Sequence, residues 1–282
     1  MNYSINCKGK LFDLSTPKVM GILNLTPDSF YEASRNLDLK AAILKAEQMI
    51  EEGVDILDVG AMSTRPGVEE LSLVEEKNRL IKPLQTLRKT FPQVLFSVDT
   101  YRAEIAEMAV DCGVDIVNDI SGGDFDEKMF ETVARLKVPY ILMHTSDKPQ
   151  FMQEKTHYEN ILTDIHLGFG RKIKKLYFLG AKDVIIDPGF GFGKTTDQNY
   201  FLLKNLAFFS ELNCPVLVGL SRKSMIYKYL ETTPQDSLAG TIMLNTIALQ
   251  NGASILRVHD VKEAKHIIEL FLKIQNTTFD GL

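Results

Sequence analysis

Short apolar runs rich in β-branched residues alternate along the chain with longer segments of helical period. Each run is compact and almost entirely apolar, which is typical of parallel strands that helices cover on both faces. The pattern predicts eight strands, in residues 19–25, 54–59, 94–98, 116–117, 138–143, 184–186, 216–218 and 255–258.

The segments between these runs carry apolar residues at helical spacing. In residues 39–50 an apolar stripe follows Asp38, which is a plausible N-cap, and Gly53 is expected to end this helix. Similar spacing recurs in residues 74–87, 158–178 and 261–271. We therefore expect at least one helix after each strand.

This alternation predicts an α/β fold, a single closed (β/α)8 TIM barrel, because no linker-like stretch interrupts it. An open, doubly wound sheet is the main alternative, since periodicity does not report closure. A Lys-Gly-Lys stretch at residues 8–10 lies between short apolar pieces and indicates a short N-terminal β-hairpin. We expect one domain over residues 1–282, with the hairpin in residues 1–17 and the barrel in residues 18–276.

Composition and charge narrow the class of protein. Of the 282 residues, 45% are hydrophobic and 24% charged, and the formal net charge of -5 gives no basic footprint for nucleic acid. Neither a secretory signal nor an apolar run of membrane-spanning length is visible. The three cysteines are scattered, which indicates a reducing compartment. We expect a cytoplasmic protein without nucleic-acid or membrane partners.

Polar and charged residues follow the predicted strands, at the point where each strand ends. Helix capping explains a single Asp or Asn at such a place, but it hardly explains polar residues at all eight strands. In a barrel these ends converge on one face, where such enzymes build their active sites. The residues are Asn24, Asp58, Asp99, Asn118 with Asp119, His144, Asp187, Ser221 with Lys223, and Arg257 with His259.

Both signs of charge occur on the face predicted in this way. An aspartate can accept two parallel hydrogen bonds from the N–H edge of a planar heterocycle. Arg65, Arg257 and His259 would suit a pyrophosphate group. The residues alone therefore indicate a ligand with one flat polar part and one anionic part.

Seven short motifs run through the chain between residues 24 and 261. They are Asn-Leu-Thr-Pro-Asp-Ser-Phe at 24–30, Ser-Thr-Arg-Pro-Gly at 63–67, Asp-Thr at 99–100, Asn-Asp-Ile-Ser-Gly-Gly at 118–123, Asp-Pro-Gly-Phe-Gly-Phe-Gly-Lys at 187–194, Ser-Arg-Lys-Ser at 221–224 and Arg-Val-His-Asp-Val at 257–261. In order and spacing the chain resembles the dihydropteroate synthases over nearly its whole length. One glycine-rich stretch would be weak support, whereas seven ordered motifs are strong support.

The resemblance implies a transferase of folate biosynthesis that is a target of sulfonamides and forms a homodimer. The family condenses 6-hydroxymethyl-7,8-dihydropterin pyrophosphate with p-aminobenzoate, and it releases pyrophosphate and 7,8-dihydropteroate. Magnesium (Mg2+) assists this reaction. The residues that the resemblance implies as catalytic are Arg65, Asp99, Lys223, Arg257 and His259.

The same resemblance implies a set of residues for each part of the substrates. The pterin would be bound by Asp99, Asn118, Ile120, Met143, Asp187, Phe192, Lys223 and Arg257. Pyrophosphate would be bound by Asn24, Thr64, Arg65, Arg257 and His259, and p-aminobenzoate by Pro66, Phe190, Ser221 and Ser224. Asn24 would also give a side-chain oxygen to Mg2+, which otherwise keeps water and phosphate oxygens as ligands.

Three other functions stay open at this point. A methyltransferase that uses methyltetrahydrofolate with a corrinoid partner could share the barrel and the pterin carboxylates, but it has little need for a pyrophosphate clamp. An aldolase could use Lys223 as a Schiff-base nucleophile. A non-catalytic pterin-binding paralogue would be expected to have lost loop residues such as Asp28 and Arg65, which are present in this chain.

Overall fold

The structure is a computed structural model that describes residues 3–25, 32–61, 71–148, 151–152 and 156–278. The chain opens with an antiparallel hairpin of β1 (Ser4–Cys7) and β2 (Lys10–Asp13). Gly9 lies in the turn between them with a φ of 87°, a conformation that glycine adopts without steric cost. The N-terminal hairpin predicted from the sequence is therefore confirmed.

Eight parallel strands follow the hairpin in the described part of the chain. They are β3 (Lys18–Asn24), β4 (Ile56–Gly60), β5 (Leu95–Asp99), β6 (Ile116–Asp119), β7 (Tyr140–Met143), β8 (Val184–Asp187), β9 (Leu217–Val218) and β10 (Ile255–Val258). Their order in the sheet is β8, β7, β6, β5, β4, β3, β10 and β9. A parallel bridge of Ile186 to Val216 joins the two ends of this order. The closed barrel is thus confirmed, and the open sheet is excluded.

Helices separate the strands and pack against the outside of the barrel. Those in the described ranges are α1 (Glu32–Glu51), α2 (Leu73–Thr90), α3 (Ala103–Asp111), α4 (Met129–Leu136), α5 (Ile161–Phe178), α6 (Thr196–Lys204), α7 (Ser224–Tyr227), α8 (Leu238–Gln250) and α9 (Val261–Asn276). Side chains cap several of them: Ser72 accepts the Glu75 N–H at 3.2 Å before α2. None of the helices within these ranges has the length and apolar character that a membrane span requires.

The first helix begins earlier than its apolar stripe indicates. Asp38 is not an N-cap, because α1 already begins at Glu32. The six residues that precede Asp38 in the helix include neither proline nor glycine, so nothing in them prevents the helix from extending toward its N-terminus. Gly53 follows α1 with a φ of 89°, as predicted for a residue that ends a helix.

Alternate residues of each strand face opposite sides of the sheet. Residues of one parity, such as Val19, Leu57 and Val117, pack against the helices in the main core. Residues of the other parity close the interior near the N-terminal ends of the strands. This layer, which we call the floor, contains Met20, Ile56, Ile116, Ile141, Ile185, Leu217 and Ile255, with Leu95 packed against them.

The N-terminal hairpin covers the floor from outside the barrel. Ile5 and Cys7 of β1, together with Leu14, are buried against the floor residues. The Asn6 N–H donates to Asp183 Oδ1 at 3.1 Å, which joins the hairpin to the residue that precedes β8. The hairpin therefore closes the end of the barrel that is opposite to the polar strand ends.

We expect Ile5→Ala to lower the free energy of unfolding by about 2–5 kcal/mol, because it leaves a cavity between the hairpin and the floor. The measurement is the shift of the urea unfolding transition. Leu11→Ala is the matched control in the same hairpin, since Leu11 is 77% exposed and its truncation should change the free energy by less than about 0.5 kcal/mol. Equal shifts for the two variants would contradict a role of the hairpin in the core.

Candidate active site

The interior of the barrel changes from apolar to polar along the strands. Because side chains alternate, a residue two positions after a floor residue faces the same interior. This relation joins Ile56 to Asp58, Ile116 to Asn118, Ile141 to Met143, Ile185 to Asp187 and Ile255 to Arg257, and Asp99 stands four positions after Leu95. We call the interior at the carboxyl ends of the strands the mouth. It collects most of the residues predicted to bind the pterin.

Arg257 connects three strands across the mouth. Its Nε donates to Asp58 Oδ2 on β4 at 2.7 Å, and its Nη2 donates to Asp99 Oδ2 on β5 at 2.8 Å. Asn118 Nδ2 also donates to Asp58 Oδ2, at 3.0 Å. Because Asp58 is fully buried and Arg257 largely so, these are charge-assisted hydrogen bonds that water screens little. Four of the strand-end residues therefore form one connected cluster.

The charges of this cluster shift the pKa values of its members. Burial raises the pKa of Asp99 to about 7, although Arg257 acts in the opposite direction. Burial would lower the pKa of Arg257, but the carboxylates of Asp58 and Asp99 outweigh that effect and raise it. Arg257 therefore remains a cation, and Asp99 can exchange a proton near neutral pH.

A second group of charges at the mouth contains Asp187 and Lys223. Lys223 Nζ donates a short hydrogen bond to Phe190 O and lies 4.7 Å from the centre of the Phe192 ring. Burial lowers the pKa of Lys223 to about 8, and Asp187 opposes this change. Burial also raises the pKa of Asp187, which Lys223 opposes in turn. The two groups supply an acceptor and a cation that act on each other electrostatically.

Apolar side chains at the mouth form a small cluster of their own. It contains Ile120, Met143 and Phe192, which are three predicted pterin contacts, together with Tyr101 and Phe125. The rings of Tyr101 and Phe125 meet edge to face, with 5.4 Å between their centres. This mouth cluster is separate from both the main core and the floor, and Phe192 joins it to the charged group of Lys223.

Lys194, which the sequence analysis did not select, holds the glycine-rich loop after β8. Its buried Nζ lies 2.9 Å from Gly189 O, 2.9 Å from Phe192 O and 3.1 Å from His144 Nδ1. A Cβ on Gly189, whose φ is 70°, would lie 1.9 Å from His144 O, so glycine is required where the loop passes His144. Lys194 thereby fixes the backbone that carries Phe192.

His144 directly follows β7, and its ring contacts Lys194, the residue that holds the loop after β8. Burial and the neighbouring ammonium group of Lys194 lower the pKa of His144 well below its usual value. The ring is therefore neutral, and its Nδ1 is able to accept a hydrogen bond from Lys194. In the sequence, Lys194 follows glycines at positions 189, 191 and 193, and a long side chain at this place can fold back onto the loop. This spacing is the signal by which Lys194 could have been predicted.

Asn24 is the candidate ligand for magnesium. It ends β3 with an exposed side chain, and a Cβ placed on Gly60 would lie 3.7 Å from Asn24 Oδ1 and 3.4 Å from Asp99 Cβ. Across the described ranges, no group of three or more His, Cys, Asp or Glu side chains is arranged to hold a metal. An amide oxygen near a carboxylate fits magnesium, which usually takes several ligands from water and phosphate.

The residues predicted to bind p-aminobenzoate differ from one another in their burial and in their contacts. Ser221 is buried, and its Oγ lies 3.0 Å from Nδ1 of His259, a residue predicted for pyrophosphate. The Phe190 side chain is fully buried in the main core, so a ligand could contact only its backbone. Ser224 is the first residue of α7, directly after Lys223. Pro66 and the predicted pyrophosphate residues Thr64 and Arg65 lie outside the described residues.

Comparisons with known proteins agree with this geometry. Residues 20–259 match the family of pterin binding enzymes. The chain is 41% identical to the dihydropteroate synthase of Escherichia coli (strain K12) over 270 residues, which are 94% of this chain and 95% of that protein. The structure of Yersinia pestis dihydropteroate synthase with a sulfonamide drug matches with a TM-score of 0.91 and 36% identity, over 98% of this chain and 100% of that one.

A second solved structure is similar to the same extent. Dihydropteroate synthase of Xanthomonas albilineans with 4-aminobenzoic acid matches with a TM-score of 0.90 and 34% identity, and the match covers 99% of this chain and 100% of that one. The barrel fold, the residues at its mouth and the sequence identity all indicate the same family. The chain belongs to the pterin binding enzymes and, within them, to the dihydropteroate synthases.

Proposed function

We propose that this chain condenses 6-hydroxymethyl-7,8-dihydropterin pyrophosphate with p-aminobenzoate at the mouth of the barrel, and that it releases pyrophosphate. The observation that carries the proposal is the buried contact of Arg257 with Asp58 and Asp99, close to further polar and apolar groups of the mouth. Such a site suits a flat heterocycle that has an N–H edge and an anionic leaving group. The product is 7,8-dihydropteroate, an intermediate of folate synthesis.

The pterin ring is proposed to lie on the mouth cluster with its N–H edge toward the carboxylates. Asp99 and Asp187 would accept hydrogen bonds from the ring, because a carboxylate offers two acceptor oxygens. Asn118 and Lys223 would donate to the ring acceptors. Arg257 would lie against the ring, since a planar guanidinium stacks well on a heterocycle. The acceptors and donors would together fix the position of the exocyclic methylene group.

In the proposed reaction the bond from the pterin methylene carbon to the pyrophosphate oxygen breaks, and pyrophosphate takes the electron pair. The pterin ring delocalises the positive charge, which Asp99 and Asp187 favour. The amine of p-aminobenzoate then attacks the methylene carbon and transfers a proton to the departed pyrophosphate or to water. No side-chain nucleophile is needed, so the protein contributes position and electrostatic stabilisation. Water has to be kept from the same carbon, because it would compete with the amine.

The leaving group is proposed to face the cationic and donor groups next to the mouth. Arg257 and His259, together with Arg65, would bind pyrophosphate oxygens and stabilise the charge that develops on them. Asn24 would hold magnesium through its side-chain oxygen. Magnesium, when bound, neutralises charge on the phosphate oxygens. With this assignment magnesium would take most of its ligands from water and phosphate oxygens.

The carboxylate of p-aminobenzoate is proposed to bind near Ser224, with Pro66 and the backbone of Phe190 as neighbours. Ser224 stands at the start of α7, where N–H groups not used within the helix attract a carboxylate. Because the similar Yersinia pestis enzyme is in complex with a sulfonamide drug, we expect sulfonamides to compete with p-aminobenzoate at this chain. We also propose that the enzyme works in the cytoplasm.

The test is pyrophosphate release by the purified protein with the pterin pyrophosphate and Mg2+, in the presence and absence of p-aminobenzoate. We expect release to depend on p-aminobenzoate and to equal the 7,8-dihydropteroate that forms. Chelation by EDTA should abolish turnover, and added Mg2+ should restore it.

Two other results would contradict the synthase assignment. Pterin binding without any product would indicate a non-catalytic paralogue or a methyltransferase. Trapping of a substrate on Lys223 by borohydride would indicate an aldolase.

We expect Asp58→Asn to raise the dissociation constant of the pterin pyrophosphate about tenfold or more, because Arg257 loses one of its two carboxylates and a charged hydrogen bond is worth about 1.5–3 kcal/mol. Titration calorimetry without p-aminobenzoate measures this constant. Asp55→Asn is the matched control. Asp55 also accepts two hydrogen bonds, from Val19 N and Lys265 Nζ, but it precedes β4 at the floor end. A similar loss of affinity in both variants would refute the role of Asp58.

A homodimer is proposed from the apolar surface of the last helices. None of the residues of α8 is charged, and Met243 on this helix is 63% exposed. Leu270 and Ile274 of the adjacent helix α9 are exposed as well, as is Tyr229 after α7. A helix that is apolar on the solvent side as well as on the core side is typical of a buried position, here between two copies of the chain.

We expect Met243→Lys to convert the dimer to a monomer, or to raise the dimer dissociation constant about tenfold or more, because an unpaired ammonium group would be buried in the interface. Light scattering after size exclusion measures the molar mass. Leu44→Lys on α1 is the control, since Leu44 is 65% exposed on a different helix. A wild-type monomer, or equal masses for wild type and Met243→Lys at low concentration, would argue against this interface.

A further inference from the structure

Ser221 makes two contacts with a single residue, His259. The His259 backbone N–H donates to Ser221 Oγ at 3.2 Å, and Ser221 Oγ lies 3.0 Å from His259 Nδ1. Ser221 is buried, with 5% of its surface exposed. One hydroxyl group therefore contacts both the main chain and the ring of the histidine.

The chemistry of a hydroxyl group allows both contacts at once. A serine Oγ has one proton to donate and two lone pairs to accept. One lone pair accepts the His259 N–H, while the proton or the second lone pair is left for Nδ1. The contact with the ring therefore persists whether Nδ1 acts as acceptor or as donor. Two contacts to one oxygen restrict the side-chain rotation of His259 more than either contact would alone.

A neighbouring pair of residues strengthens this arrangement. Arg222 follows Ser221 with a φ of 56°, and its Nε and Nη2 donate to the two carboxylate oxygens of Asp260 at 2.9 and 2.8 Å. The Arg222 N–H also donates to Thr241 Oγ1 on α8 at 3.0 Å. Two consecutive residues after β9 thus bind two consecutive residues after β10. The segment that holds His259 is therefore fixed by the fold before any ligand arrives.

We propose that Ser221 is a positioning residue that orients the His259 ring toward the departing pyrophosphate, and that it is not a direct contact of p-aminobenzoate. His259 directly follows Val258, the last residue of β10, and so stands just beyond the strand that carries Arg257 into the mouth. This inference rests on the role of His259 in the proposed function. It reassigns Ser221 from the amine substrate to the leaving group.

The test is a double-mutant cycle of Ser221→Ala and His259→Gln, with kcat and both KM values measured by pyrophosphate release. Ser221→Ala removes both contacts, but only the contact with the ring orients Nδ1. We therefore expect kcat to fall about two- to tenfold, the range for that one hydrogen bond, and the KM for p-aminobenzoate to stay within about twofold. In the His259→Gln background the same change should have almost no further effect, because residues that act through one another are not additive.

A matched control and a second readout separate positioning from loss of structure. Ser254→Ala removes another buried serine, next to the floor end of β10, and should leave kcat unchanged. In spectra of protein labelled with 15N-histidine, the Nδ1 signal of His259 should move in Ser221→Ala and stay in place in Ser254→Ala. Ser221→Thr keeps the hydroxyl group and should restore the wild-type signal and kcat.

Three results would overturn the inference. Multiplicative losses in the double variant would show that Ser221 acts without His259. A rise confined to the KM for p-aminobenzoate would return Ser221 to that substrate. If His259→Gln alone left kcat unchanged while turnover remained coupled to p-aminobenzoate, the assignment of His259 would fail together with this inference, but the proposed reaction would stand.

Discussion

The contact of one buried guanidinium with two buried carboxylates constrains the whole mouth of the barrel. A charge at this depth is tolerated only when it is paired and hydrogen-bonded, and removal of one partner leaves the others unfavourably buried. Arg257 meets this condition through Asp58 and Asp99 on two different strands. Since β10 also pairs with β3, these contacts span the place where the last strand meets the first strand of the barrel. The site and the closure of the barrel thus depend on some of the same residues.

The two ends of the barrel divide stability and chemistry between them. At the floor, one apolar side chain from each of seven strands packs beneath the hairpin, and this burial favours folding. Two or four residues further along the strands, side chains on the same interior face include the buried Asp58, Asp99, Asn118 and Asp187 and the largely buried Arg257. Their burial disfavours folding unless each group is paired. The change from apolar to polar takes place within single strands. A single short strand, whose side chains alternate between the two faces of the sheet, can therefore contribute residues both to the apolar core and to the polar site.

The parts of the structure that depend on local sequence patterns could be predicted from the sequence. Apolar runs located all eight strands, and the residues at their ends indicated the mouth, because both follow from the period of two in a strand. The start of α1 was placed wrongly, since an apolar stripe reports burial and not where the helix begins. The partners of Arg257 and of Ser221 could not be predicted. Arg257 and Asp58 are 199 residues apart, and only the closed fold brings them together.

The loop after β8 shows how two lysines can fix one short backbone segment from two sides. The carbonyl groups of Gly189 and Phe192 accept hydrogen bonds from Lys194 Nζ, whereas the carbonyl group of Phe190, one of the two between them, accepts from Lys223 Nζ. His144 O lies 3.4 Å from Lys194 Nζ as well, so four acceptors surround the three donors of the ammonium group, which favours its charged form. Burial opposes that charge and lowers the pKa of Lys194 to about 7.

The positive charge of Lys223 disfavours that of Lys194, and the carboxylate of Asp187 favours the charged form of both lysines. The carboxylate that is proposed to bind the pterin therefore also acts to raise the pKa of both lysines, against the effect of burial. If Asp187 were neutral, both ammonium groups would lose their common counter-charge, and the hydrogen bonds that hold the loop would weaken. The shape of the loop, and with it the place of the Phe192 ring in the mouth cluster, is thus coupled to the ionisation of Asp187. If Asp187 binds the pterin as proposed, ligand binding and loop geometry at the mouth are linked through the charge of Asp187.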